Sequence, residues 1–153
     1  MRAVVLSDSH GDLRSVLKIV EKHKDADVFI HLGDGRREIE ALMERCTGKA
    51  FFAVKGNGDF STSLPVYDTV SMGDKKIFLT HGHLYQVKAT YLPVCLAARE
   101  RKADVVLFGH THTAYEGYDD GLYLLNPGSV RDGTYGILDV TTAGVVTNIV
   151  RCI

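Results

Sequence analysis

Five short segments of this chain carry side chains that bind metal ions in proteins. They are Asp8-Ser9-His10, Gly33-Asp34, Gly56-Asn57, His81-Gly82-His83 and Gly109-His110-Thr111-His112. Carboxylate, carboxamide and imidazole groups without thiolates are the ligand set of Mn, Fe, Zn, Co and Ni. Seven side chains in these segments are therefore candidate metal ligands: Asp8, His10, Asp34, Asn57, His81, His110 and His112.

Each segment follows directly after an apolar run, and these runs predict where the segments lie. The runs cover residues 3–6, 28–30, 51–54, 77–79 and 105–108. They are short, rich in β-branched and aromatic residues, and show no polar alternation, which is typical of strands buried on both faces. Ligands of open sheets collect outside the carboxyl ends of such strands. We therefore expect the seven donors to meet on one rim and to form a site for two ions.

The remaining patterns in the first two-thirds of the chain predict an α/β fold. Helical stripes cover 13–20, after the candidate N-cap Asp12, and 39–46, where Gly48 suits the helix stop. Their alternation with the strands is the signature of βαβ units with a parallel sheet. Residues 68–80 read as a hairpin around Gly73-Asp74. A third helical region covers 86–102, with a break that places Pro93 in the first turn of its later segment.

Beyond Thr113 the pattern is antiparallel. Strands at 114–118 and 122–125 flank the turn 119–121, and strands at 135–140 and 145–150 flank the turn 142–144. The chain thus contains both parallel-type and antiparallel-type strand patterns. This difference indicates two sheets packed together, with helices covering the outer faces. No linker, low-complexity segment or repeat interrupts the chain, so we expect residues 1–153 to form a single domain.

Composition narrows the functional classes. The 153 residues are 45% hydrophobic and 24% charged, as in an ordinary globular domain with one core. Eighteen Lys and Arg against 19 Asp and Glu give a net charge of −1, and no basic stripe favours nucleic acid or an anionic membrane. The apolar stretches are too short to span a bilayer, and the first residues read as a strand and not as a signal peptide. We expect Cys46, Cys95 and Cys152 to be buried free thiols in a reducing cytoplasm.

Each segment by itself also has a purely structural explanation. Asp8-Ser9-His10 followed by glycine is a fair turn and cap sequence, and Gly33-Asp34-Gly35 and Asn57-Gly58 are common turn sequences. The histidines favour the metal site, because six of the seven in the chain lie at strand ends and four of these form two His-x-His pairs. Cores and turns do not account for such a set.

Four residues near the segments have other expected roles. His31 lies within its apolar run, facing the core or a neighbour, and is left out of the site. The role of His83 stays open between substrate contact, proton donation and support of a ligand. His23 is expected on the solvated side of a helix, and Asp59 is expected to hold Asn57 from behind.

In this order, the five segments resemble the motifs of the calcineurin-like metallophosphoesterase superfamily. The match is to its small, single-domain bacterial and archaeal phosphodiesterase branch, whose eukaryotic relative is a retromer subunit. The resemblance runs from Met1 through Asn126-Pro127-Gly128-Ser129. It implies a four-layer αββα sandwich in which helices flank two mixed β-sheets. It also implies that Asp34 bridges two metals, one held with Asp8, His10 and His112 and the other with Asn57, His81 and His110.

The resemblance implies a dinuclear-metal-dependent phosphodiesterase that hydrolyses a small phosphodiester by a metal-bridging hydroxide. Manganese is the favoured metal, with Fe, Zn, Co and Ni as alternatives, and the catalytic residues would be Asp34, Asn57, His81 and His83. Many members have a histidine after the asparagine that assists the leaving group, whereas this chain has Gly58. The small phosphodiesterase branch usually lacks that histidine too, and its absence counts against ordinary monoesterase activity.

Other functions remain in competition. A phosphomonoesterase or nucleotide phosphatase would use the same site, and near-neutral charge makes a nuclease less favoured. A non-catalytic binding protein like the retromer subunit is the other alternative, although scaffolding members tend to lose ligand histidines and this chain keeps the full set. Exposed strand edges favour a homodimer or homotetramer. The residues do not name the natural substrate.

Overall fold

The architecture comes from a computed structural model that describes residues 1–152. In chain order the elements are β1 (Arg2–Leu6), α1 (Leu13–Lys22), β2 (Val28–His31), α2 (Arg36–Arg45), β3 (Ala50–Ala53), β4 (Tyr67–Met72), β5 (Lys75–Thr80), a 3₁₀ helix (His83–Tyr85), α3 (Leu92–Glu100), β6 (Val105–Leu107), β7 (Tyr115–Asp119), β8 (Leu122–Asn126), β9 (Thr134–Thr141) and β10 (Gly144–Arg151).

The strands form two five-stranded mixed sheets. In the first, the order is β10-β9-β1-β2-β3, with β1, β2 and β3 parallel and β9 antiparallel to both β1 and β10. In the second, the order is β4-β5-β6-β8-β7, with β5, β6 and β8 parallel and the two edge strands antiparallel to them. The two C-terminal hairpins, β7–β8 and β9–β10, belong to different sheets. The change from a parallel to an antiparallel sequence pattern therefore does not separate one sheet from the other.

The sheets pack face to face and helices cover their outer faces, which confirms the predicted four-layer αββα arrangement. Alternate residues of β1 face opposite sides: Val5 lies in the core between the sheets, whereas Val4 packs under α1 and α2. Residues of α3 pack in the same way against Phe78 of β5. Because both faces of the central strands are buried, their sequences show no polar alternation.

Two local predictions were wrong in part. The edge strand β3 is covered less than predicted, and both Phe51 and Phe52 are half-buried. Residues 86–91 do not continue a helix, because Gln86 adopts a left-handed backbone (φ 53°) after the 3₁₀ helix and is followed by turns. The break itself is confirmed: α3 begins at Leu92, and Pro93 occupies its first turn, where its missing N–H leaves no bond unmade.

The cysteines and His23 also differ from expectation. All three cysteines are free, but Cys46 alone is buried, since Cys95 is half-buried and Cys152 lies exposed beyond β10. His23 is the C-cap of α1, and its Nε2 lies 2.7 Å from the hydroxyl of Tyr135, so it is not simply solvated. Among the described residues, no helix is long and apolar enough to cross a bilayer.

Candidate metal centre

The predicted rim exists, and backbone contacts hold its loops together. The loop after β1 bonds to the loop after β2 through the N–H of Asp8 and the carbonyl of Gly33, at 3.0 Å. In the second sheet, the N–H of Gly109 donates to the carbonyl of His81 at 2.9 Å. The imidazole Nδ1 of His81 lies 2.8 Å from the carbonyl of Leu32, so the two sheets are joined directly beneath the site.

A first cluster consists of Asp8, His10 and His112. Their ligand atoms lie within 4.8 Å of one another, as a shared metal ion requires. Oδ1 of Asp8 lies 3.1 Å from Nε2 of His112 and 3.5 Å from Nε2 of His10, and the two Nε2 atoms are 3.2 Å apart. Nδ1 of His112 points the other way, 3.7 Å from the carboxylate of Asp132.

A second cluster consists of Asp34, His81 and His110. Nε2 of His81 lies 3.1 Å from Nδ1 of His110 and 3.4 Å from Oδ2 of Asp34. Because Nδ1 of His81 donates its proton to the Leu32 carbonyl, Nε2 is the nitrogen that faces the site and can offer a lone pair.

The two clusters adjoin through their carboxylates. Oδ2 of Asp34 lies 3.8 Å from Nε2 of His10 in the first cluster, and Oδ1 of Asp8 lies 3.9 Å from Nε2 of His81 in the second. Asp34 is thus within reach of both groups of ligands. Six of the seven predicted donors are gathered into two adjoining clusters.

The Asp8 carboxylate tests whether these side chains fit a cation. Its Oδ2 accepts from the Ser7 hydroxyl at 2.5 Å and from the His110 N–H at 3.0 Å. Its Oδ1 is buried and has no hydrogen-bond partner among residues 1–152, although three imidazole nitrogens surround it. A buried carboxylate oxygen left unpaired is costly, and a cation between it and the imidazoles would remove that cost. The donor set therefore fits divalent metal ions.

The backbone at the rim is strained where the candidate ligands lie. Left-handed φ angles are rare outside glycine and cluster at functional sites. Five of the seven candidates adopt them, with φ between 43° and 70°: Asp8, His10, Asp34, His110 and His112. This strain could not be inferred from the sequence.

Two glycines bring the loops close enough for the clusters to form. A Cβ at Gly56 would overlap the Asp34 carboxylate and lie 2.7 Å from the Asp34 nitrogen. A Cβ at Gly109 would overlap the Ser7 hydroxyl and lie 2.8 Å from Oδ2 of Asp8. Any larger residue at either position would displace a candidate ligand.

Asp59 supports the loop of Asp34 and does not hold Asn57 as predicted. Its buried carboxylate accepts four backbone N–H groups, from Asp34 (2.7 Å), Gly35 (3.0 Å), Arg36 (2.9 Å) and Gly56 (2.8 Å). The four donors are main-chain groups and carry no signature in the sequence. The role of Asp59 was therefore missed.

Three further buried side chains brace the rim. His31 is fully buried, as its place in the apolar run indicated; its Nδ1 accepts the Gly33 N–H at 3.1 Å and its Nε2 lies 2.9 Å from the Ser9 hydroxyl. Asn126 donates to the Gly109 carbonyl at 3.1 Å, and the Ser129 hydroxyl donates to the Asp8 carbonyl at 2.8 Å. The turn that contains Asn126 and Ser129 thus holds the ligand loops in place.

Asn57 and His83 lie at the margin of the clusters. Asn57 is exposed and lies between Gly56 and Gly58, whose N–H donates to Oδ1 of Asp34 at 2.7 Å. The ring of His83 is half-buried, with its centroid 5.4 Å from that of His81 and 6.1 Å from that of His110. Nδ1 of His83 is buried and has no hydrogen-bond partner within the described part of the chain.

Mutual interactions shift the pKa values of these groups. Burial raises the pKa of Asp34, but the hydrogen bond and charge of His81 and the Gly58 N–H hold it well below its usual range. Burial lowers the pKa of His81, but the Asp34 hydrogen bond and the Asp8 charge outweigh it, so the pKa is raised. Burial and the charge on His81 lower the pKa of His110 to about 4. Asp34 is therefore ionised, and a metal ion would compete with a proton at His81.

Comparisons with known proteins agree with this chemistry. A model of the calcineurin-like phosphoesterase superfamily domain matches residues 1–143. The chain is 37% identical over 132 residues to the probable metallophosphoesterase YsnB of Bacillus subtilis, covering 86% of this chain and 76% of the relative. It is 31% identical over 166 residues to the phosphodiesterase MJ0936 of Methanocaldococcus jannaschii, covering 91% and 93%.

Solved structures are similar over nearly the whole chain. The structure of a predicted phosphoesterase of Streptococcus pneumoniae superposes with a TM-score of 0.85 at 28% identity, covering 98% of this chain and 88% of the other. Vps29 of Entamoeba histolytica in complex with zinc superposes with a TM-score of 0.77 at 20% identity, with full coverage of both chains, which shows a shared fold. Family model, relatives and site chemistry agree: the chain belongs to the calcineurin-like phosphoesterase superfamily and is a metal-dependent phosphoester hydrolase.

Proposed function

We propose that residues 1–153 act as a single-domain, dinuclear-metal-dependent phosphodiesterase. The observation that carries the proposal is the unpaired Oδ1 of Asp8, buried among three imidazole nitrogens where the two clusters adjoin. One ion would be held by Asp8, His10, Asp34 and His112, and the other by Asp34, Asn57, His81 and His110. The reach of Asp34 toward both clusters supports its role as the bridge.

The metal ions and the side chains around them would together determine how a phosphodiester is bound and hydrolysed. Two divalent ions would lower the pKa of bound water, so that hydroxide is available near neutral pH, and would neutralise the phosphate oxygens. Asp8 and Asp34 supply only two negative charges against two dications, so the centre keeps the positive charge that attracts a phosphate. The hydrogen bond from His81 to Leu32 fixes the orientation of that ring. Oxygen and nitrogen donors are compatible with Mn, our favoured ion, and equally with Fe, Zn, Co or Ni.

The region around Gly58 favours diesters over monoesters. Gly58 itself carries no side chain that could protonate a poor leaving group, and a Cβ at this position would lie 3.2 Å from Oδ1 of Asp34. The half-buried ring of His83 lies outside both clusters, with its centroid 5.4 Å from that of His81, and we propose that it contacts the substrate or the departing oxygen. Phosphomonoesterase or nucleotide phosphatase activity is the second candidate, because the same centre would bind those substrates.

A non-catalytic role like that of the retromer subunit is not favoured. The structural likeness to Vps29 at 20% identity concerns the fold alone. A metal centre needs the unpaired carboxylate and the surrounding imidazoles. A scaffolding protein does not need them. We further propose a cytoplasmic enzyme that acts on a small phosphodiester, not on nucleic acid, and that forms a homodimer or homotetramer.

Hydrolysis of bis(p-nitrophenyl) phosphate and of p-nitrophenyl phosphate, each with Mn²⁺ and with chelator, tests the proposal. We expect Mn²⁺-dependent cleavage, faster for the diester. Replacement of His81 by alanine should lower kcat at least a hundredfold, since it removes one ligand. His23→Ala is the matched control, because His23 lies outside both clusters, and it should retain activity.

Two results would contradict the proposal. Diester cleavage that persists undiminished in chelator would exclude a metal-dependent reaction. A higher kcat/KM for the monoester would favour phosphomonoesterase activity in its place.

A further inference from the structure

A small cavity lies beside the metal centre on the side of α2. It has a volume of about 210 Å³, and its lining includes His10, Asp34, Gly58, Arg37 and Glu38. We call it the Glu38 pocket. His10 and Asp34 belong to the candidate ligands, so a molecule bound at the metals could extend into this cavity.

Within residues 1–152, no hydrogen bond or ion pair explains the burial of Glu38. Only 2% of the surface of Glu38 is exposed, and its Oε1 has no hydrogen-bond partner among the described residues. As the third residue of α2, a glutamate would ordinarily accept the N–H of the N-cap residue. Here that N–H, from Gly35, donates to Asp59 instead. The local role of Glu38 is therefore already filled by another side chain.

Two residues of the lining, Gly11 and Gly58, add no side chain to the pocket. Oε1 of Glu38 lies 4.0 Å from the position of a Cβ on Gly11, and no other atom outside the neighbouring residues lies within 4 Å of that position. Glu38 thus lines one cavity together with the candidate ligands His10 and Asp34.

We propose that the Glu38 pocket binds the alcohol portion of the substrate through a hydroxyl group that donates to Glu38. This inference rests on the proposed phosphodiesterase function. A carboxylate accepts hydrogen bonds, so its partner must be a donor. Arg36 and Arg37 on the same lining disfavour a cationic amine, so we assign the donor as a neutral hydroxyl group. The ligand class is therefore a phosphoester whose alcohol is a polyol, such as a glycerol or sugar unit.

Binding of two product analogues to the Mn²⁺-loaded protein tests the proposal without turnover. Glycerol 1-phosphate and propyl phosphate share the phosphate and the three-carbon chain and differ in the hydroxyl groups. Calorimetry should give a tenfold to hundredfold lower Kd for glycerol 1-phosphate, the range for a hydrogen bond to a charged group. In Glu38→Leu the preference should fall to about twofold or less, whereas Glu38→Gln, which keeps an acceptor oxygen, should retain part of it.

Glu44→Gln is the matched control, because Glu44 is exposed on the same helix, and it should keep the wild-type preference. Glu38→Leu should also melt at or above the wild-type temperature, since it removes a buried carboxylate without a partner. Equal Kd values in the wild type, no binding of either compound, a preference that survives in Glu38→Leu, or a clear fall in its melting temperature would overturn the proposal. Failure of the diester assay with intact glycerol phosphate selectivity would instead count against the proposed function alone.

Discussion

The stability of the metal-free protein should depend on pH through His31. This histidine is fully buried, and burial lowers its pKa from 6.5 to about 4. Protonation would place a hydrogen on Nδ1, which accepts the Gly33 N–H, so the folded protein keeps the ring neutral. Above pH 6.5 the ring is neutral in both states. As the pH falls from 6.5 towards 4, the unfolded chain takes up a proton that the folded protein does not, and folding stability is lost.

The size of this effect follows from the two pKa values. Each pH unit within the interval lowers the free energy of unfolding by about 1.4 kcal/mol. The total loss between pH 6.5 and pH 4 is therefore roughly 3 kcal/mol. Other histidines also titrate there, so the contribution of His31 is obtained by difference from variants that do not titrate.

Two such variants separate titration from the loss of hydrogen bonds. His31→Asn can keep an acceptor for Gly33, and His31→Gln can keep a donor towards Ser9. Urea unfolding in chelator at pH 7.5, 6, 5 and 4 gives the free energy of unfolding of each protein. Between pH 7.5 and pH 4, the free energy of unfolding of both variants should fall by about 3 kcal/mol less than that of the wild type. Curves that run parallel to the wild type would refute the assignment of acid sensitivity to His31.

Three further predictions concern the metal centre. The raised pKa of His81 means that binding of Mn²⁺ near pH 7 should release a proton, and calorimetry in buffers of different ionisation enthalpy should detect it; no buffer dependence would contradict the assignment. Gly109→Ala should lower both the melting temperature and the bound metal, because its Cβ overlaps the Ser7 hydroxyl, whereas Gly48→Ala, with open space around its Cβ, should keep its metal. Asp59→Ala should destabilise the protein by about 3 kcal/mol or more in urea unfolding, since it leaves four backbone N–H groups without their acceptor, and a loss below 1 kcal/mol would contradict this role.

The positions of the strands and of six clustered donors could be predicted because both depend on local sequence. An apolar run that stops at an aspartate or histidine marks the end of a buried strand. The order of strands within each sheet depends on long-range pairing, for example of Val4 with Ile137, and the sequence pattern does not encode it. The same limit explains why the change in pattern after Thr113 does not separate one sheet from the other.

The missed features are those that depend on the tertiary structure. Asp59 bonds to main-chain groups of distant residues, and the local sequence around Glu38 does not indicate its burial. The helix predicted before Pro93 failed because a single left-handed residue, Gln86, redirects the chain. His23 likewise acquired a partner, Tyr135, from a distant strand.

The most direct test of the central claim is anomalous diffraction at the manganese edge from crystals of the protein soaked in Mn²⁺. Two peaks should appear a few ångströms apart, one among Asp8, His10 and His112 and the other among His81, His110 and Asn57, with Asp34 between them. A single peak, peaks elsewhere, or no peak at saturating Mn²⁺ would contradict a dinuclear centre built from these residues.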